Sequence, residues 1–295
     1  MANETTHKKL VVFDINLDWN CYKQEDRRYK DLPLVYPLIR KAYEYQTVVI
    51  LTSGCLTDAL DFVNTHEIKK GYLVASGGAI IYDIENSKIL EMHTLDHDDI
   101  HAIVHHGIMN FVNVTVYTPT RKFIYVSNDV GYNNLKNLCY SQHEVLQTYD
   151  MLQQTLSRTD IVDIGYLMFL GPLDHPKQRL LLYNLEKYCE NEVTNLTFKT
   201  NNTSKYVHIG TKNSTKLKAV EKLMALNDIK QFGDVLYIAA SCINSDCYIS
   251  FKNSLIASNN DFFNEIGYKK NHKFLAEEIN KLDPEFGKKT GSFWK

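Results

Sequence analysis

Residues 10–13, Leu10, Val11, Val12 and Phe13, form an apolar and largely β-branched run that ends on Asp14, with Asn16 and Asp18 just behind it. Such a run reads as a buried strand. A carboxylate at the carboxyl end of an apolar strand stands where open α/β sheets place their ligands, so this stretch constrains fold and function together. A second unbroken apolar run, residues 47–52 (TVVILT), closes on Thr52, Ser53 and Gly54. Strands that are apolar on both faces suit a parallel sheet covered by helices on both sides.

The segments between these runs supply the helices. Leu34 to Tyr45 is amphipathic, and after Gly54 the apolar positions Leu56, Ala59, Leu60 and Val63 recur at helical spacing. Gly71 stops that helix, and a third strand over residues 72–76 runs into Gly77, Gly78 and Ala79. Strand–helix–strand alternation of this kind predicts a doubly wound α/β domain. From residue 85 to 205 the pattern changes. Strands over 111–117 and 123–126 flank a TPTRK turn, a further strand covers 164–170, and a helix covers 177–189. The α/β pattern then returns with a helix over 216–226, strands over 235–240 and 247–251, and a helix over 274–282. The expected division is a core of residues 1–84 and 206–295 around an inserted α+β domain of residues 85–205.

Composition excludes some functions. A formal net charge of -2 and a pI near 6.6 lack the basic footprint of a nucleic-acid binder. No window of 18 apolar residues occurs, so no membrane span is expected, and the MANETTHKKL start has no apolar core of a secretory leader. The six cysteines have no CxxC spacing, which favours reduced thiols and a cytoplasmic setting. His93, His97, His101 and His105 recur every four residues among Asp96, Asp98 and Asp99. One continuous helix would align them for a transition metal. A helix beginning near Asp98 would leave only His101 and His105 as neighbours, and a solvated helix is the favoured reading.

An Asp ending the first strand, a Thr ending the second, a helix-borne Lys after a large insertion and a polar loop after a late strand together resemble the haloacid dehalogenase superfamily. Within it the chain is similar to the Cof-type sugar-phosphate phosphatases, which carry a large αβ cap; ASGGAIIYD at residues 75–83 and SFKNS at 250–254 add to the likeness. The resemblance implies a haloacid-dehalogenase-like α/β core, an aspartyl-phosphate mechanism, Mg²⁺ as cofactor and a small phosphorylated metabolite as ligand. Against the family's DxDGT motif, Asp14 takes the place of the nucleophile and metal ligand, and Asn16 that of the general acid and base. Leu17 and Asp18 replace Gly and Thr. An amide cannot donate the proton a leaving alkoxide needs, which removes a contribution of roughly 10²–10⁴ in rate. Thr52, with Ser53 beside it, matches the phosphate-binding hydroxyl. Lys216 matches the phosphate-binding lysine, placed after the candidate helix caps Asn213 and Ser214, with Lys212 and Lys218 nearby.

The largest departure is in the acidic loop, GDxxND in the family and SCINSDC here. Aligning Asn244 with the family Asn puts Ser241 and Ser245 at the two acidic positions. Sliding by one residue recruits Asp246 but puts Cys242 at the first acid. Hydroxyls and thiols are poor replacements for carboxylates around Mg²⁺. Without the ion, each like-charge pair between phosphate and Asp14 at about 4 Å costs roughly 4 kcal/mol at an effective dielectric near 20, and one lysine offsets only part. Two expectations follow from the resemblance. One is a phosphatase-like protein with lost or much reduced turnover and a retained phosphate-ligand cleft. The other is an active cytosolic phosphomonoester hydrolase, with Asp18 or Asp246 supporting Mg²⁺.

Overall fold

The structure, a computed structural model, describes residues 10–15, 39–40, 42, 47–109, 113–125, 144–157, 161–167, 187, 196–200, 206–211, 213–239, 247, 250–251 and 253–256. Its strands in chain order are β1 (Leu10–Asp14), β2 (Thr47–Leu51), β3 (Tyr72–Ala75), β4 (Ile80–Asp83), β5 (Lys88–Met92), β6 (Asn113–Tyr117), β7 (Lys122–Tyr125), β8 (Glu144–Gln147), β9 (Asp163–Leu167), β10 (Leu196–Thr200), β11 (Tyr206–Thr211), β12 (Val235–Ala239) and β13 (Asn253–Ile256). The longer described helices are α1 (Leu56–Thr65), α2 (His97–Met109), α3 (Tyr149–Leu156) and α4 (Lys216–Leu226).

A seven-stranded sheet runs in the order β13-β12-β1-β2-β3-β4-β5. Pairing is parallel from β13 through to β3 and antiparallel for β3–β4 and β4–β5. Strand β1 lies inside the parallel part, and every one of its residues is buried. Successive side chains alternate between faces, and the packing follows that alternation. Val11 and Phe13 join Ala59, Phe62 and Val63 of α1, whereas Leu10 and Val12 join Ala219, Val220 and Leu223 of α4. Asp14 continues the parity of Leu10 and Val12, which places it on the α4 side.

A six-stranded sheet, β10-β11-β9-β6-β7-β8, is antiparallel except for the parallel pair β7–β8. Ile100, Ile103 and Val104 of α2 and Leu152 and Leu156 of α3 cover it, packing on Val114 and Val116. Helix α2 begins at His97, so His93 lies outside it and pairs with Glu91 at 2.7 Å. The His97 and His101 rings stack at 5.0 Å, and His105 is exposed. Among the described residues no cluster of three or more His, Cys, Asp or Glu side chains is placed to hold a metal ion.

Three features differ from the sequence-based expectation. Strand β5 lies past residue 84 yet joins the seven-stranded sheet, because residues 84–87 form a tight turn in which Asn86 donates twice to the Asp83 carboxylate, at 3.1 and 2.8 Å. Strand β11 follows residue 205 yet pairs with β9 and β10. The strand expected over 247–251 is not found at its described positions: Cys247 and Ser250 are helical, and the Phe251 amide donates to the Cys247 carbonyl at 3.0 Å. Cys247 and Phe251 are both buried four residues apart, the spacing of a helix face, and the strand comes later as β13. The helix expected over 274–282 lies outside the described residues, and of 177–189 only Lys187 is described, in a helix.

The turn between β3 and β4 fixes where α4 begins. Ser76, Gly77 and Gly78 all have positive φ, at 49°, 65° and 109°. A Cβ on Gly78 would stand 2.4 Å from the Thr215 carbonyl carbon and 2.7 Å from the Lys216 nitrogen. Gly78→Ala therefore meets both a forbidden backbone region and a backbone wall. It is expected to lose at least ~1 kcal/mol of stability in urea unfolding. An unchanged midpoint would show that α4 does not bear on this turn.

Candidate functional site

Parallel register brings three strand ends to one edge of the seven-stranded sheet, with Asp14 level with Leu51 of β2 on one side and Ala239 of β12 on the other. Just past β2, Thr52 is held by its own backbone: its amide donates to Val74 O at 2.8 Å and its carbonyl accepts from Gly77 N at 3.2 Å. Its hydroxyl accepts from Gly54 N at 3.1 Å, and Gly54 O accepts from Ser76 N at 2.7 Å. The Thr52–Gly54 turn is thus bound to the β3–β4 turn at both ends. Thr52 is fully buried and Ser53 half-buried. The Ser76 hydroxyl beside this turn is buried and has no hydrogen-bond partner among the described residues.

Lys216 opens α4. The helix cap is Thr215, whose hydroxyl accepts from Lys218 N at 3.2 Å, rather than Asn213 or Ser214. Ser214 instead donates its hydroxyl to Thr211 O at 2.9 Å, which closes the preceding turn. From this start the Lys216 side chain reaches the sheet edge, where Nζ donates to Asp14 Oδ1 at 2.6 Å. Lys216 is 3% exposed and Asp14 0%. Lys218 is exposed and lies near Asn213 Oδ1 at 3.4 Å, so of these two lysines the one that meets Asp14 is Lys216.

The residue that sequence reasoning missed is Tyr237. Its Oη donates to Asp14 Oδ2 at 2.6 Å. Tyr237 pairs in register with Val12, two residues before the Asp14–Ala239 pair, so it shares Asp14's face of the sheet. Its ring is fully buried and stacks on Phe251 at 5.8 Å. A tyrosine within the otherwise aliphatic run VLYIA was the available signal, because a buried phenol must find a partner for its hydroxyl.

Asp14 is therefore a water-excluded carboxylate with one oxygen on an ammonium and the other on a phenol. Both distances are those of short, charge-assisted hydrogen bonds. Removing one member of a buried ion pair strands the other charge, at a cost of about 3–5 kcal/mol. Lys216→Met is expected to lose that much in urea unfolding, and a loss below ~1 kcal/mol would show that the pair is not buried as described. Of the other positions singled out by sequence, Asn16, Asp18, Ser241, Cys242, Asn244, Ser245 and Asp246 lie outside the described residues, as does Lys212.

A separate cleft of about 250 Å³ is lined by Gly78 and, among others, Glu91, His93, Lys218 and Lys222. Glu91 pairs there with both His93 and Lys222. Neither Asp14, Thr52 nor Lys216 lines it.

A family model described as haloacid dehalogenase-like hydrolase matches residues 37–236, more than half of the chain. The protein belongs to the haloacid dehalogenase-like hydrolase family. A search of curated proteins found no match. Among solved structures, the chain is similar to a haloacid dehalogenase-like hydrolase from B. subtilis, at TM-score 0.60 and 14% identity over 84% of this chain and 88% of that one. It is similar to another from Bacteroides thetaiotaomicron, at TM-score 0.60 and 14% identity over 93% and 99% of the respective chains. A third similar structure is a haloacid dehalogenase subclass IIB sugar phosphatase, at TM-score 0.58 and 8% identity over 88% and 100%. At these identities the likeness is one of fold.

Enzymes of this kind imply Mg²⁺, and the residues of this chain fit it poorly. The described carboxylate at the site, Asp14, has both oxygens engaged by Lys216 and Tyr237. In one of the two registers the loop sequence allows, the acidic positions carry hydroxyls at Ser241 and Ser245; in the other, Cys242 and Asp246 take them. Among the described residues, a hard dication that needs several anionic oxygens finds too few at this edge.

Proposed function

We propose that this protein is a phosphatase-like member of its family with lost or much reduced phosphohydrolase activity, which retains a cleft for a small phosphorylated ligand. The carrying observation is the double engagement of Asp14, whose oxygens accept from Lys216 and Tyr237 at 2.6 Å each, with all three side chains buried. An aspartate that attacks phosphorus must present an oxygen lone pair in line with the leaving group. Here each oxygen already binds a strong donor, which lowers its nucleophilicity and takes up one of its two lone pairs. Asn16 adds the loss of a proton donor, and Ser241 with Ser245 the loss of metal-binding charge. Retained ligand binding is supported by the ordered Thr52–Gly54 turn and by the ammonium of Lys216 at the same sheet edge. The ligand class is supported by the likeness to a sugar phosphatase.

The setting we propose is cytoplasmic, without nucleic-acid or membrane partners. The near-neutral pI supports it, and no helix among the described residues is long and apolar enough to cross a membrane.

The test is hydrolysis of a panel of sugar phosphates and an aryl phosphate, with Mg²⁺ and with chelator, by the wild type and by Asp14→Asn. Equal, metal-independent background rates are expected from both. Robust Mg²⁺-dependent turnover that disappears in Asp14→Asn would establish the alternative, an active phosphomonoester hydrolase. In the silent case, Asn16→Asp, Ser241→Asp and Ser245→Asp combined with Tyr237→Phe should recover measurable hydrolysis. The proton donor alone is worth roughly 10²–10⁴ in rate. Ligand binding is read separately as a rise in melting temperature, since a ligand at about 100 times its Kd stabilises the fold by about 2.7 kcal/mol.

A further inference from the structure

A second buried ion pair lies away from Asp14, and it joins the two sheets. Lys122, the first residue of β7, is 2% exposed and places Nζ 3.2 Å from Asp58 Oδ2 in the first turn of α1. The same carboxylate oxygen accepts from the Cys55 thiol at 3.1 Å. Burial, and next the negative charge of Asp58, push the Cys55 thiol up to about 12, so near neutral pH its sulfur keeps the proton it donates. Thr57 donates its hydroxyl to Thr120 O at 2.6 Å, a second tie between the same two segments.

The β6–β7 hairpin that grips α1 is itself braced. Its Thr118 amide donates to Arg121 O at 2.9 Å, and the Arg121 amide donates to Thr118 Oγ1 at 3.0 Å. At its base Tyr117 is 1% exposed and packs in the core cluster that holds Phe62 of α1. The Lys122 ammonium stands 6.0 Å from the centre of the Tyr117 ring. The gripped residues, Cys55 to Asp58, begin one residue after Gly54 and thus continue the Thr52–Gly54 turn beside Asp14. A lysine with so little exposure is tolerable only while its counter-charge is in place. Undocking the hairpin would take the Lys122 ammonium from the Asp58 carboxylate and release the start of α1.

We infer that Lys122 is a positioning residue, which through Asp58 and Cys55 holds the Thr52–Cys55 turn in place and couples its order to docking of the six-stranded sheet. The expected effect on anion binding rests on the ligand reading given above; the coupling does not.

The coupling is tested by amide hydrogen exchange on the full-length protein as wild type, Lys122→Met, Lys122→Arg and Thr57→Val. Lys122→Met should raise exchange across residues 53–59 by at least ~10-fold while leaving β12 and α4 unchanged. Lys122→Arg should restore part of the protection, because the charge is kept. Thr57→Val, which removes one tie without stranding a charge, should give a smaller rise in the same segment. It decides the matter if Lys122→Met does not fold. A rise spread evenly over both sheets, or none at residues 53–59, overturns the inference. Titration with inorganic phosphate is the second measurement. At least ~10-fold weaker binding to Lys122→Met supports the coupling, and equal binding overturns it. If the wild type binds no phosphate, the ligand reading fails and the exchange data alone judge the coupling.

Discussion

An ionised carboxylate with no access to water must be satisfied by the protein itself, and Asp14 imposes that demand on the whole seven-stranded sheet. Its partners lie 202 and 223 residues further along the chain. Both must return to the end of β1 before the charge is neutralised, so this edge of the sheet is complete only once α4 and β12 have joined it. The long stretch between them costs little extra, because loop-closure entropy grows only logarithmically with length. A whole second sheet can therefore sit between β5 and α4 without loosening the site.

The same Asp14–Lys216 pair is compatible with two chemistries. An ammonium beside a carboxylate can hold a phosphate and a nucleophile together, or it can merely compensate a buried charge. The second oxygen separates the two. With Tyr237 donating to it, each oxygen of the carboxylate holds one strong donor beside its remaining lone pair, which weakens it as a nucleophile and is the ground for the reduced activity proposed above. A change within one strand, at a position facing inward, thus alters the chemistry of a residue on its neighbour.

The sequence made the scaffold legible where periodicity was strong. Leu10–Asp14 read as a strand because no polar residue interrupts it, and Lys216–Leu226 read as a helix because Ala219, Val220 and Leu223 recur on one face. Borders were harder. The expected border between residues 84 and 85 falls inside a turn that keeps β5 on the same sheet, since the pairing of Asp83 with Asn86 is a property of geometry rather than of pattern. Residues 247–251 misled because a short apolar run carries no period of its own. At the site, Asp14, Thr52 and Lys216 stand at element ends, where position has meaning in one dimension. Tyr237 stands inside a strand, and its role depends on the register of β12 against β1, which only the folded sheet supplies.

The turn at Ser76, Gly77 and Gly78 acts as a gauge block between two working parts. On one side its amides clasp the Thr52–Gly54 turn, and on the other Gly78 abuts the carbonyl of Thr215 and the nitrogen of Lys216. The threonine's turn and the start of the lysine's helix are therefore set by one stretch of backbone, while the hydroxyl and the ammonium are each aimed by a partner of their own, Gly54 and Asp14. Evolution or an engineer who shifts that stretch moves both groups at once. Moving one group without the other would instead require a change at its own partner, Gly54 for the hydroxyl or Asp14 for the ammonium.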